Sequence, residues 1–365
     1  MTQQIKILIV DDSAFARSII VKKLSVDPDI EVVGVAKDGI DALEQIKALK
    51  PDVVTLDVSM PRMDGLTALE RIMAECPTPV VMLSALTGEQ APATMSALEL
   101  GAVDFFLKPS VLSPAGLSRE SGDLAEKVKI AAQVDLAKLL RRRPRRSKTQ
   151  TAKALAIRES SKMQSADAGA RQPARVRHQG KVLVIGSSTG GPKALTELVP
   201  EFPPELPVPV LIVQHMPPGF TKSFAERLDS VSALRVKEAA AGDMLEVGTV
   251  LLAPGDHHMV VTSSGRIALN QDSPVWGVRP SVDVTMDSVA KHYGGRAVGV
   301  VLTGMGSDGS NGTARIKERG GTVVVEHEST CAIYGMPRMV VEKGNADMVL
   351  PLPEMAEAII RMCTQ

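Results

Sequence analysis

The chain has 365 residues, 42 Lys+Arg balanced by 42 Asp+Glu, and 44% hydrophobic residues, with aromatics only 2% of the total. That length suits two ordinary domains with aliphatic cores, and the charge balance gives no electrostatic reason to expect a nucleic acid or a membrane surface as partner. Cys76, Cys331 and Cys363 are too few and too widely spaced for a disulfide framework or a Cys-rich zinc site, no stretch approaches the ~18 apolar residues of a membrane span, and MTQQIKILIVDD lacks a basic n-region, so a cytoplasmic protein without membrane insertion is expected.

Residues 1–110 alternate short apolar runs with amphipathic stretches. The runs are KILIV (6–10), EVVGVA (31–36), DVVTLD (52–57), PVVMLS (79–84) and DFFLK (104–108). Between them, segments such as SAFARSIIVKKL and GLTALERIMAE space apolar residues three and four apart. Near-continuous apolar strands separated by amphipathic helices predict a parallel sheet covered on both faces, built from five βα units. Ligands of such open sheets gather at the carboxyl ends of the strands. The first strand ends in Asp11 and Asp12, the third in Asp57, the fourth in Ser84 and the fifth in Lys108. Carboxylates gathered at one edge repel unless a cation joins them, and an all-oxygen ligand set favours Mg²⁺. The lysine offers a positive charge, and the serine a hydroxyl, to an incoming phosphoryl group.

These residues at these strand ends resemble the receiver domains of two-component response regulators over about residues 4–122. The resemblance implies that Asp57, in TLDVSMPRMDG, accepts the phosphoryl group. It implies that Asp11, Asp12, Asp57 and the backbone carbonyl of Ser59 hold Mg²⁺, and that Ser84 and Lys108 contact the phosphoryl group. Phe105 takes the place of the family's aromatic switch residue.

Residues 120–178 break the alternation. LAEKVKIAAQVDLAKLL reads as helix and runs into RRRPRRSK, followed by a polar Ala/Ser/Gln-rich tract punctuated by Pro144 and Pro173. With no aromatic platform beside the basic run, the reading is a solvated linker over 123–178, part helical, rather than a nucleic-acid contact.

From residue 179 the βα rhythm resumes with KVLVIG, PVLIVQH, GTVLLAPG, RAVGVVLTG and GTVVVEH, predicting a second, mostly parallel, Rossmann-like α/β domain over 179–365. Its first strand runs into GSSTGGP. A phosphate-binding P-loop needs Lys where Pro192 stands, so that reading fails. Gly186-Ser187-Ser188-Thr189-Gly190 instead fits G-x-S-x-G centred on Ser188, between a predicted strand and a predicted helix, as a nucleophile elbow requires. A serine nucleophile needs a base. His178 lies in the linker, His257 and His258 follow PGD in a predicted exposed turn, and His292 and His327 lie in or beside predicted helix or strand. His215 stands at the carboxyl end of a strand, on the edge that carries Ser188. Asp308, in the glycine-rich turn LTGMGSDG, ends a third strand and could orient that base. The order Ser…His…Asp differs from the Ser…Asp…His of α/β-hydrolases.

The words GSSTGGP, QHMPPGFT, APGDHHM, RPSVDV, LTGMGSDG and YGMPR resemble the catalytic domain of the chemotaxis protein-glutamate methylesterases, over about residues 180–358. The resemblance implies a Ser188–His215–Asp308 triad, backbone amides at Thr189 and Met305 as oxyanion donors, and no cofactor for the esterase site. A receiver followed by such a domain is that family's full architecture. It implies hydrolysis of glutamate methyl esters, and deamidation of glutamines, on chemoreceptor cytoplasmic helices. It also implies a chemotaxis histidine kinase as phosphodonor and a receiver that covers the triad until phosphorylated. A response regulator with a non-catalytic scaffolding domain is the competing reading; it would not need the three chemical residues at coincident strand ends.

Overall fold

The structure is a computed structural model describing residues 4–85, 90–108, 124–140 and 180–364. The basic run at 141–148 and the polar tract after it lie outside the described residues. The chain divides into two compact units, Met1–Arg141 and Arg142–Gln365.

The first unit runs β1 (Ile5–Val10), α1 (Ala14–Leu24), β2 (Ile30–Ala36), α2 (Gly39–Leu49), β3 (Val53–Asp57), α3 (Gly65–Glu75), β4 (Val80–Ser84), α4 (Ala91–Leu100), β5 (Asp104–Leu107), α5 (Leu124–Ala131) and α6 (Leu136–Leu139). Its strands form one parallel sheet in the order β2-β1-β3-β4-β5, the flavodoxin-like arrangement. Ile7–Val10, Val53, Val54, Leu56 and Val80–Leu83 are all fully or almost fully buried, as strands covered on both faces require. The helices start where short polar side chains satisfy their first amides: Ser13 caps α1, Asp38 α2 and Asp64 α3.

The sequence reading placed residues from 123 onward in the linker, and the structure corrects this. Helix α5 buries Leu124, Val128 and Ala131 and packs on α1, β4 and β5. Its Lys127 pairs with Asp104 at 2.9 Å and its Lys129 with Asp27 at 2.8 Å. The reason is coverage. A fifth βα unit needs a fifth helix, and without it the apolar face of β4 and β5 would meet water.

The second unit runs β6 (Val182–Ser187), α7 (Gly191–Leu198), β7 (Val210–Gln214), α8 (Phe220–Val231), β8 (Arg235–Glu238), β9 (Thr249–Leu252), β10 (His258–Val261), β11 (Ile267–Asn270), α9 (Val282–Tyr293), β12 (Ala297–Val301), α10 (Ser310–Glu318), β13 (Thr322–Glu326), α11 (Met336–Glu342), β14 (Met348–Leu350) and α12 (Leu352–Thr364). Seven strands make a parallel sheet in the order β14-β13-β12-β6-β7-β9-β8. Val182, Val184, Leu211, Val213 and Leu251 of the sheet pack with Met286 and Val289 of α9 in one core. After β6 the chain moves to one side, to β7, and later returns to the other side as β12. The strand order therefore reverses between β6 and β12, which is where open α/β sheets place ligands. The antiparallel β10–β11 hairpin stands apart from the sheet and packs on α9.

Candidate active site and phosphoryl pocket

Three adjacent strands, β12-β6-β7, bring together the catalytic candidates of the second unit. Chain 187–191 leaves β6 and enters α7 in one turn. Gly190 sits at φ +78°, and a Cβ there would stand 2.5 Å from Ala332 Cβ, so only glycine fits this corner. The two serines separate cleanly. Ser187 is fully buried and its Oγ donates to Gln214 Oε1 at 2.7 Å. Ser188 is partly exposed. Its N–H donates to Thr303 O (3.1 Å), and its carbonyl accepts from Gly191 N (2.8 Å) and Gln214 Nε2 (3.0 Å). Its backbone is thus fixed on both sides, at the carboxyl edge of the sheet.

His215 follows β7 immediately. Its Nε2 lies 2.8 Å from Asp308 Oδ2, an arrangement that puts the ring proton on Nε2 and leaves the Nδ1 lone pair as the base. Asp308 is 2% exposed and accepts five hydrogen bonds. Besides His215, the donors are Ser281 Oγ (2.8 Å), Val282 N (2.7 Å), Asp283 N (2.9 Å) and Gly309 N (3.0 Å). Two of these are amides of the first turn of α9, so the carboxylate caps that helix from outside the chain segment. Burial alone would raise its pKa; the bond to His215 and the helix amides outweigh it and hold the carboxyl below its ordinary range.

Gly304 presses its backbone against the elbow: a Cβ there would stand 2.9 Å from Ser188 Cβ. The next residue, Met305, is 40% exposed, and Thr189 is 6% exposed. Both candidate oxyanion amides therefore belong to the two chain segments that touch at Ser188.

Several residues of the site were not singled out from the sequence. The Gln214 side chain ties Ser187, Ser188 and, through a 3.1 Å bond, the carbonyl of His215, so it joins the nucleophile and base segments. Thr303 receives the Ser188 N–H, and its hydroxyl donates to Thr189 O at 3.0 Å. Glu326, fully buried at the end of β13, accepts the Thr303 N–H at 2.8 Å, and burial pushes its carboxyl up to about 7. His258 is not the exposed turn residue expected. It opens β10, is 1% exposed, and its Nδ1 accepts from Ser281 N at 3.2 Å. Burial lowers its pKa, keeping it a neutral acceptor behind the serine that holds Asp308.

The first unit gathers its candidates at the β1/β3 switch point. Lys108 Nζ stands 2.7 Å from Asp11 Oδ2 and 2.7 Å from Asp57 Oδ2. Ligand oxygens of Asp11, Asp12 and Asp57 lie within 4.8 Å of one another. Beyond the ion pair, Asp11 Oδ2 has no hydrogen-bond partner. Burial opposes ionisation of Asp57 and raises its pKa, Lys108 offsets only part of this, and the Asp11 charge adds to it. For Lys108 burial works against the charged form, but the two carboxylates outweigh it and raise its pKa. Three carboxylates against one ammonium leave an excess of negative charge that an oxygen-ligating divalent cation fits.

Around this pocket, Ser84 Oγ accepts from Thr94 Oγ1 at 3.0 Å, and Gln90 Nε2 reaches Ser59 Oγ at 3.3 Å. Phe105 is already inside, 5% exposed, with the Lys127 ammonium 5.9 Å from its ring centroid.

Residues 183–359 match the family described as CheB methylesterase, and residues 7–114 match the response regulator receiver domain family. A protein-glutamate methylesterase/protein-glutamine glutaminase of Symbiobacterium thermophilum is 49% identical over 359 residues, covering 98% of this chain and 96% of that one. A protein of the same name from Pyrococcus horikoshii is 45% identical over 364 residues, 99% of this chain and 94% of its own. The crystal structure of the Thermotoga maritima CheB methylesterase catalytic domain superposes with a TM-score of 0.50 at 46% identity, covering 50% of this chain and 99% of that domain. With two parallel α/β units, a matched receiver and relatives aligned over nearly their whole length, the chain belongs to the protein-glutamate methylesterase/protein-glutamine glutaminase family.

Proposed function

We propose that this chain is a phosphorylation-controlled serine esterase that hydrolyses glutamate γ-methyl esters on the cytoplasmic helices of chemoreceptors, and deamidates receptor glutamines by the same acyl chemistry. The observation that carries the reading is the His215–Asp308 pair at 2.8 Å on the edge where the Ser188 elbow opens. Ser188 Oγ attacks the ester carbonyl while His215 Nδ1 takes its proton. Backbone amides of Thr189 and Met305 receive the developing oxyanion. The C–OCH₃ bond breaks, and the imidazolium gives its proton to departing methanol. Water, deprotonated by the same ring, then attacks the acyl carbon; the C–Oγ bond breaks, the imidazolium returns its proton to Ser188 Oγ, and the glutamate carboxylate is released. Asp308 fixes the tautomer and stabilises the imidazolium. With glutamine the leaving group is ammonia.

In the receiver, Asp57 accepts a phosphoryl group from a chemotaxis histidine kinase, Lys108 and Ser84 contact it, and Phe105 lies beside the switch face. Asp11, Asp12, Asp57 and the Ser59 carbonyl would hold Mg²⁺, whose charge would neutralise the acidic cluster and the incoming phosphoryl oxygens. The reaction belongs in the cytoplasm, where the receptor helices and the kinase are; among the described residues no helix is long and apolar enough to cross a membrane. The test is methanol release from a methylated receptor fragment, with and without a small phosphodonor. Wild type should respond to the phosphodonor, and Asp57→Asn should not. No methanol from either would overturn the reading.

A further inference from the structure

Trp276 is the sole tryptophan of the chain, and it is placed against its own preferences. It stands 56% exposed at the tip of a two-residue turn closed by Val275 N to Val278 O (3.1 Å) and Val278 N to Val275 O (3.0 Å). Its φ is +55° and that of Gly277 is +78°. Both central residues are left-handed, a turn that favours Asn, Asp or Gly and penalises a bulky side chain. The ring is also held. Its indole N–H donates to Asp283 Oδ2 at 2.9 Å, and Asp283 is a buried residue of the first turn of α9 whose own N–H donates to Asp308 Oδ1. One hydrogen bond therefore separates the anchor of the indole from the carboxylate that orients His215. With its N–H satisfied, the ring offers solvent only its hydrocarbon faces. Met305, next to the Gly304 backbone that abuts Ser188, is also an exposed large apolar side chain.

An exposed aromatic in a strained backbone, tethered to the support of a catalytic centre, is poorly explained by packing, since it buries little surface for its size. A helix that delivers a side-chain ester to Ser188 must lie close over the sheet edge that carries it, because a glutamate side chain is too short to reach in from a distance. We propose that Trp276 is a substrate-docking residue: its exposed indole face packs against apolar side chains of the glutamate-bearing helix and so selects helical protein substrate over small esters. This rests on the methylesterase reading above.

Trp276→Asn keeps a residue that tolerates the left-handed turn and removes the ring. On the full chain with phosphodonor, it should raise KM for a methylated chemoreceptor cytoplasmic fragment about thirtyfold, the low end for truncating a tryptophan hot spot, with kcat little changed. Hydrolysis of N-acetyl-glutamate γ-methyl ester methylamide, which has no helix to dock, should be unaffected. A Trp276→Phe variant, which keeps a ring but loses the anchor, should fall between. Because the chain has one tryptophan, emission of the Ser188→Ala variant should shift to the blue on adding a tryptophan-free methylated fragment. Equal loss on both substrates, an unchanged KM, or an unmoved emission at saturating fragment would each overturn the assignment of Trp276 alone. Small-ester hydrolysis without methanol from the receptor fragment in wild type would overturn the methylesterase reading and this inference with it.

Discussion

Asp57 closes β3 and Asp308 lies in the turn between β12 and α10, both on the carboxyl side of a parallel sheet beside a switch point, yet they are electrostatic opposites. Asp308 receives five hydrogen bonds and is held ionised below its ordinary range. Asp57 shares one lysine with Asp11, and burial and its acidic neighbour push its pKa up. A fully satisfied carboxylate has no lone pair to spare and serves to orient something else. An under-neutralised one is ready to take a cation and an electrophilic phosphoryl group. The surrounding donors, rather than the residue type or the strand end, decide which job an aspartate has.

The comparison can be broken first at the triad. Ser188→Ala should lower methanol release on the order of 10⁴–10⁶-fold, with phosphorylation of Asp57 intact. Ser187→Ala should keep most activity, because that hydroxyl only tethers Gln214; the reverse pattern would name the other serine as nucleophile. Asp308→Asn should cost roughly 10⁴-fold in kcat, since an amide can present its N–H to His215 and force the wrong tautomer. If Asp308 merely caps α9, the loss would appear in thermal stability and leave kcat near wild type.

A chelator tests the other half. It should stop phosphorylation of Asp57 from a small phosphodonor while hydrolysis by the unphosphorylated chain continues, since among the described residues the clustered candidate metal ligands, Asp11, Asp12 and Asp57, lie in the first unit. Chelator-sensitive hydrolysis in the absence of phosphodonor would erase the distinction.

The smallest effect concerns Glu326. Its carboxyl rises from 4.5 to about 7 on burial. Between those values the folded chain holds a proton that the unfolded chain has lost, so stability falls as pH rises through that interval and stays lower above it. The full effect is about 3 kcal/mol at ~1.4 kcal/mol per pH unit. Glu326→Gln keeps an acceptor for the Thr303 N–H and cannot titrate. Its melting temperature should therefore gain on wild type between pH 5 and pH 8; parallel curves would show that Glu326 does not titrate there.

Much of this was legible in the sequence. Both sheets could be read because buried parallel strands are unbroken apolar runs, and the candidate residues because they sit where those runs stop: Asp11, Asp57, Ser84 and Lys108 in one unit, Ser188 and His215 in the other. The strands that escaped notice are short or carry charge. RVKE (235–238) forms the sheet edge, where one side meets solvent, and β10 begins with a histidine. LAEKVKIA (124–131) was recognised as helical but assigned to the linker, because amphipathicity says that a helix has a partner face and not which face it is.

The amino-acid order by itself determined the apolar central strands, the glycine corners and the chemistry available at their ends, since these depend on neighbours within a few residues. Only the tertiary structure decided the pairings: that β12 lies beside β6 although more than a hundred residues separate them, so that Asp308 faces His215; that Gln214, Ser281 and Thr303 hold the segments of the candidate triad; that His258 is buried behind Ser281; and that Trp276 is tied to Asp283. Apart from the Trp276–Asp283 bond, which spans seven residues, each of those contacts joins segments distant in the chain. Strand order and helix packing bring them together, and no local pattern encodes either.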